Sequence, residues 1–157
     1  MRLISSMFEH REKIPAQYTC DGNDMSPPLT ISDVPDGVKS LVLIMDDPDA
    51  PAGIWDHWVV FNIPPDVTEI PESQEPRQTG GQAPGVSGKN SFGTLGYGGP
   101  CPPDREHRYF FKLYALDVEL DLPEGASKAE VEQAMAGHII EQAELTGLYA
   151  RGVSRGQ

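Results

Sequence analysis

Three short clusters hold most of the side chains capable of chemistry in this 157-residue chain. The first is Asp46-Asp47-Pro48-Asp49-Ala50-Pro51 and the second is Trp55-Asp56-His57-Trp58. The third is Gly96-Tyr97-Gly98-Gly99-Pro100-Cys101-Pro102-Pro103, which leads to His107-Arg108-Tyr109. His57 and His107 can each donate a ring N–H, and each becomes cationic near the reference histidine pKa of about 6.5. The Tyr109 hydroxyl is a further donor. Gly96, Gly98 and Gly99 leave the backbone bare, so their amides can approach another group closely. The same residue types allow a second chemistry: Asp47, Asp49, His57 and His107 could hold a divalent ion. That metal-dependent hydrolase reading lacks a close ligand motif such as H-x-x-x-H and a clear base to activate a metal-bound water.

Structural roles compete with these. Asp47 and Asp49 stand beside prolines, where a carboxylate often caps a turn. For Asp49 we favour that role, and for Asp47 a pocket role with a structural component. Tyr109 suits a core strand, and Trp55 and Trp58 suit packing more than ligand stacking. His138 reads as a packing histidine on a helix stripe, and His10 carries no signal.

The elements that must position these clusters are mostly extended. Leu29-Thr30-Ile31 is a short run ended by the turn residues Pro35-Asp36-Gly37. Ser40–Met45 is continuously apolar and reads as a strand covered on both faces. Trp58–Ile63 is similar and stops at Pro64-Pro65. Arg108–Leu116, dense in aromatics, carries the strongest strand signal. Residues 71–100, rich in Gly, Pro, Ser and Asn, show no defensible regular structure. Each cluster sits where an apolar strand meets a loop. If strands 40–45, 58–63 and 108–116 are neighbours, the clusters converge at one end of the domain, where rigid strands position loop residues.

One helix is expected. Ser127-Lys128-Ala129-Glu130 has capping-box spacing. Val131, Met135, His138, Ile139 and Gln142 share a helical face, Ala143 and Leu145 extend the pattern, and Gly147 is a plausible stop. Gly137 weakens this helix by about 1 kcal/mol relative to Ala and is a candidate break.

Composition agrees with a mainly β, single-domain protein over 1–157. Sixteen Gly and 15 Pro interrupt long helices, while 38% hydrophobic and 23% charged residues are globular values. The expected architecture is a β-sandwich with a C-terminal helical segment. Acidic residues outnumber basic ones 24 to 12, for a formal charge of −12. Such a surface repels phosphate backbones and anionic membranes, so no nucleic-acid partner is expected, nor an integral-membrane location. The first residues, Met1-Arg2-Leu3-Ile4, lack the apolar stretch of a secretory signal, so the chain reads as cytoplasmic or already processed.

Asp47-Pro48-Asp49-Ala50-Pro51, His57–Ile63, and Gly99-Pro100-Cys101-Pro102-Pro103 followed by His107-Arg108-Tyr109 resemble the phosphatidylethanolamine-binding protein family. The likeness is to its bacterial and archaeal branch, the Raf kinase inhibitor-like proteins. Thr19-Cys20-Asp21-Gly22, Ser26-Pro27-Pro28-Leu29, Leu113–Asp117 and Ala134–His138 fit the same branch, so the resemblance runs from about residue 15 to 150. It implies an antiparallel sandwich with Greek-key connections and a small pocket for phosphate-like oxyanions. By that likeness the pocket is lined by Asp47, His57, Gly99, Pro100, His107 and Tyr109, with Asp49 helping to shape the loop; Trp55 is a further candidate for shaping the site.

The implied function is non-enzymatic: binding of a phosphate or phospholipid head group, with regulation or inhibition of a kinase or protease, as a homodimer and without cofactor or metal. A structural dimer with a vestigial pocket is the remaining alternative. Asp47 is expected to orient a histidine rather than meet the anion directly. The stretch Asp104-Arg105-Glu106 departs from the small residues or glycine of bacterial relatives and puts charge at the pocket mouth. No counterpart is expected of the C-terminal helix with which mammalian members shape their pocket. Cys20 and Cys101 lie in two of the family motifs. Two cysteines in a cytoplasmic protein ordinarily remain thiols, and a disulfide between the loops is the other reading.

Overall fold

A computed structural model describes residues 1–73 and 84–151 of the chain. In chain order the elements are β1 (Arg2–Ile4), β2 (Glu12–Lys13), β3 (Leu29–Ser32), β4 (Ser40–Asp47), β5 (Trp55–Ile63), β6 (Glu69–Ile70), β7 (Val86–Ser87), β8 (His107–Leu116), α1 (Lys128–Met135) and β9 (Ile139–Tyr149). A single 3-10 turn, Ala16–Tyr18, precedes β3. A small sheet has the order β1-β3-β6, and a large one has the order β2-β9-β8-β4-β5-β7. The long strands pair antiparallel, while the short β2 joins the edge strand β9 in parallel. Within the large sheet β4, β5 and β7 are successive neighbours and β8 returns to lie beside β4, which is a Greek key.

The continuous apolar run of β4 is buried along its whole length because both of its faces are covered. Leu41, Leu43 and Met45 join the cluster between the sheets, with Leu29, Ile31 and Ile70 of the small sheet and Val60, Phe111 and Leu113 of the large one. Val42 and Ile44 face the other way, into a second cluster with Val59, Phe61, Val131 and Met135, where α1 lies against the sheet. Successive strand residues point to opposite faces, so one unbroken hydrophobic run serves two cores. Each fully buried Leu, Ile, Val or Phe contributes roughly 1.5–3 kcal/mol of transfer free energy.

The helix begins as its residues demand. The Ser127 side chain accepts the Glu130 N–H, and the Glu130 carboxylate accepts the Ser127 N–H. It stops at Met135, earlier than the apolar spacing suggests. Gly137 takes φ +84°, the left-handed conformation that ends a helix, and the chain then becomes β9. Residues 139–149 are therefore strand, not the continuation of the helix to Gly147. They hydrogen-bond with β8 along its full length, from His107–Tyr149 to Leu116–Ile139. His138 is displaced from the expected packing role: it lies past the helix, partly exposed, with Nδ1 2.8 Å from Asp117 Oδ1.

Of the irregular stretch 71–100, residues 74–83 lie outside the described residues, and the rest holds only β7. Among the described residues, no helix is long and apolar enough to cross a membrane. Cys20 and Cys101 are joined in a disulfide, which replaces the expectation of two free thiols. The loops carrying them meet through several independent contacts. Cys20 N–H donates to the Pro100 carbonyl (3.1 Å), the Tyr97 hydroxyl to the Tyr18 carbonyl (2.6 Å), and Gly99 N–H to Asp24 Oδ1 (2.8 Å).

Candidate functional site

Antiparallel pairing sets the C-terminal end of β4 beside the N-terminal ends of β5 and β8. Residues 47, 55–57 and 107–109 meet there. They enclose a cavity of about 210 Å³ lined by Asp47, Ala50, Pro51, Trp55, His57, Phe92, Cys101, Pro102, Pro103, His107 and Tyr109. That is room for roughly seven liquid waters, or for a phosphate-sized group with a short substituent.

His57 reaches this cavity through an irregularity in β5. Met45 pairs with Trp58 and Asp46 with Asp56, so His57 is an extra residue with no opposite number on β4. A bulge of this kind re-aims a side chain. Gly98 meets both the backbone and the ring of His57: Gly98 N–H donates to the His57 carbonyl (2.9 Å), and the ring Nδ1–H donates to the Gly98 carbonyl (2.6 Å). A carbonyl can only accept, so the ring proton is on Nδ1. The ring is 3% exposed, and this burial pushes its pKa below the ordinary histidine value, against the Gly98 carbonyl and the charges of Asp47, Asp56 and Asp46. His57 is thus a neutral ring whose Nε2 carries a lone pair without a protein partner. It packs edge-on against Phe92 and Tyr109, with centroids 5.5 and 5.3 Å away.

His107, two residues from Tyr109 and on the same face of β8, has the opposite electrostatics. Its Nδ1 lies 2.6 Å from Asp47 Oδ2 and its Nε2 lies 2.7 Å from Asp104 Oδ1. Burial opposes the charge, but these two carboxylates outweigh it and hold the pKa above the ordinary value. The ring is an imidazolium clamped between two aspartates, and its donors are spent. Asp47 is likewise engaged, since its Oδ1 also accepts the Asp49 N–H (2.7 Å). Asp49 forms a fork with Arg108, accepting from Nε and a terminal nitrogen at 2.9 Å each and from the Arg108 N–H at 2.9 Å. The Arg108 guanidinium holds the Asp49 carboxyl down to about 2. The fork pins the 48–51 turn to the start of β8.

The Tyr109 hydroxyl is buried and has no hydrogen-bond partner. Burial and the negative field of Asp47 and Asp49 drive its pKa far upward, so the hydroxyl keeps its proton at all ordinary pH.

Six of the candidate residues, Asp47, Asp49, Trp55, His57, His107 and Tyr109, therefore gather around one cavity, with Asp49 behind its wall. Gly99 and Pro100 do not line it. A Cβ on Gly99 would lie 2.3 Å from Asp24 Oδ1 and 2.5 Å from the Tyr18 carbonyl, so that glycine allows the 97–101 segment to pack on the 18–24 loop. The amides of Gly98 and Gly99 are spent inside the protein, on His57 and Asp24, so neither remains for a ligand. The two rings are not paired donors either, as the opposite states of His57 and His107 show. Asp46 and Asp56 point to the helix side, where Asp46 meets Lys112 and Lys128 at 3.2 and 3.3 Å and Asp56 meets Lys128 at 3.0 Å.

Sequence reasoning placed Cys101 at the pocket border but passed over Phe92, Ala50, Pro51, Pro102 and Pro103 as walls, and Asp104 as a partner of His107. An acidic residue three positions before a histidine was the available signal for Asp104. Nothing local marks Phe92, which arrives by tertiary packing against Trp55 (5.5 Å). Among the described residues, no group of three or more His, Cys, Asp or Glu is arranged to hold a metal ion.

Known proteins share this arrangement of elements. The model of a family described as phosphatidylethanolamine-binding protein matches residues 4–150. The UPF0098 protein of Methanothermobacter thermautotrophicus is 54% identical over 154 residues, covering 97% of this chain and all of that one. A UPF0098 protein of Aquifex aeolicus is 51% identical and covers 96% of this chain, which spans 89% of it. The crystal structure of a phosphatidylethanolamine-binding protein homolog from Chlamydia trachomatis superposes with a TM-score of 0.88 at 46% identity, covering 96% of this chain and 97% of that one. YbcL of E. coli, described as a new member of the mammalian family, superposes at 0.87 with 36% identity, covering 96% and 98%. A match over nearly the whole length, with the same fold at these identities, leaves one conclusion: the chain belongs to the phosphatidylethanolamine-binding protein family.

Proposed function

We propose that this chain is a non-enzymatic binding protein whose cavity receives a phosphate-type oxyanion carried on a small molecule or a lipid head group. The observation that carries the reading is the Tyr109 hydroxyl, a buried donor without a partner on the wall of a cavity. A buried hydroxyl left unpaired costs roughly 1–3 kcal/mol, and a bound oxygen acceptor removes that cost. The cavity is the size of the expected group. Its other walls are largely apolar, which strengthens any hydrogen bond formed inside. The acidic surface supplies no long-range attraction, so binding is local. The resemblance extends this reading to regulation of a kinase or protease, engaged at the cavity mouth where Phe92 is exposed, and to a homodimer.

The test is a phosphate titration followed by NMR of the histidine rings and the Tyr109 ring. His57 and Tyr109 signals are expected to move together and to saturate. Signals that stay fixed at high phosphate would make the cavity vestigial and leave a structural role.

A further inference from the structure

Tyr109 and His57 each present to the cavity a polar group with no protein partner among the described residues, and the two are of opposite kinds. Tyr109 O–H is a donor and His57 Nε2 is an acceptor. The Trp55 indole N–H is a further donor on the lining, whereas both nitrogens of His107, both oxygens of Asp47, and the amides of Gly98 and Gly99 are committed. Among the described residues lining the cavity there is no unpaired cation either. His107 carries positive charge, but Asp47 and Asp104 flank it at 2.6 and 2.7 Å, and Arg108 is forked to Asp49.

A fully deprotonated dianion would satisfy Tyr109, leave an oxygen lone pair facing the His57 lone pair, and find no unpaired cation among the described lining residues to offset its own charge. A group that accepts at one oxygen and donates at another fits both positions. We infer that the cavity selects a phosphate monoester in its monoprotonated form, with the P–OH donating to His57 Nε2 and a neighbouring oxygen accepting from Tyr109 O–H. This rests on the oxyanion reading above and adds the protonation state and the ester class. A phosphodiester, which has no P–OH, meets only half of the pattern, and so does sulfate.

The groups facing His57 do not change this polarity. Asp47 and Asp46 come from β4, Asp56 from its own strand, Tyr109 and His107 from β8, and the Gly98 carbonyl and Phe92 from the preceding loop. Asp46 and Asp56 are paired with Lys128. Binding is therefore governed by the ligand's own second ionisation, near pH 6 for a monoester.

The experiment measures dissociation constants for methyl phosphate, dimethyl phosphate and sulfate at pH 5.5 and pH 8.0, on the intact protein. Methyl phosphate is expected to weaken by roughly fiftyfold to a hundredfold between the two, because only about 1% stays monoprotonated at the higher pH. At pH 5.5 dimethyl phosphate and sulfate are expected to bind at least about tenfold more weakly, the loss of one well-placed hydrogen bond. Sulfate also guards against the trivial cause. If acid merely made His57 cationic, sulfate would strengthen in parallel and the inference would fall.

Methyl phosphate binding that is level across this range, or sulfate or dimethyl phosphate matching it at pH 5.5, overturns the inference and leaves the oxyanion reading standing. No binding of any of the three removes both. Sedimentation with phosphatidylcholine vesicles containing phosphatidate distinguishes the sources. Co-sedimentation competed by methyl phosphate assigns a lipid-borne monoester, and methyl phosphate binding without co-sedimentation assigns a soluble one.

Discussion

Replacing Tyr109 by Phe should make the protein more stable and a poorer binder. The ring is fully buried, and its edge-on contact with His57 (5.3 Å between centroids, 82° between planes) does not involve the oxygen, so Tyr109→Phe preserves the packing. What it removes is a buried hydroxyl with no partner. Taking the low end of the usual cost gives a gain of about 1 kcal/mol for the empty protein, which raises Tm by roughly 2–4 °C in a domain of this size. The bound state loses a hydrogen bond instead, so affinity for methyl phosphate should fall about threefold to tenfold. Thermal unfolding with and without ligand reads both effects in one assay: the unliganded Tm rises while the ligand-induced increment shrinks. A variant that melts lower than the parent, or that keeps the full increment, would refute the reasoning, because the hydroxyl would then have a structural partner or no contact with ligand.

Asp104→Asn should lower the pKa of His107, read by its ring resonance against pH, and an unchanged titration would mean that Asp104 does not bridge the ring. The sign for stability follows from the raised pKa: His107 contributes fully below the unfolded value of about 6.5, and the contribution is lost as pH rises through the folded value. The parent should therefore lose more stability than Asp104→Asn above pH 6.5, measured by urea unfolding at a series of pH values. Reduction of Cys20–Cys101, which spans 81 residues of sequence, should cost about 4.5 kcal/mol by the chain-entropy estimate. Denaturant midpoints of the oxidised and reduced protein that coincide would contradict it.

The parts of the fold that were legible are those with one dominant local signal. The run Ser40–Met45 could only be a strand buried on both sides, and the Ser127–Glu130 capping box sets the helix start to the residue. The misreading of 139–149 has a specific cause. Ala143, Leu145 and Tyr149 fit a two-residue alternation as well as a helical stripe, and the pairing offered by β8 over its whole length decides between them. Around the cavity, residue types identified which side chains gather, but not what each one does. Two histidines of the same type, each at a strand–loop junction, end in opposite protonation states because burial outweighs the single carbonyl that one faces, while two carboxylates outweigh the burial of the other. That difference resides in partners 41, 60 and 3 residues away along the chain, and only the last is within local reach.

The unpaired position at His57 in β5 ties two properties together that a protein could otherwise change separately. Surface loops around the mouth can lengthen or shorten without touching the imidazole. The residue count of this one strand cannot, because the surplus unit is the imidazole's own position. Variants that diversify ligand preference are thus channelled into the rim, while the strand's arithmetic stays frozen.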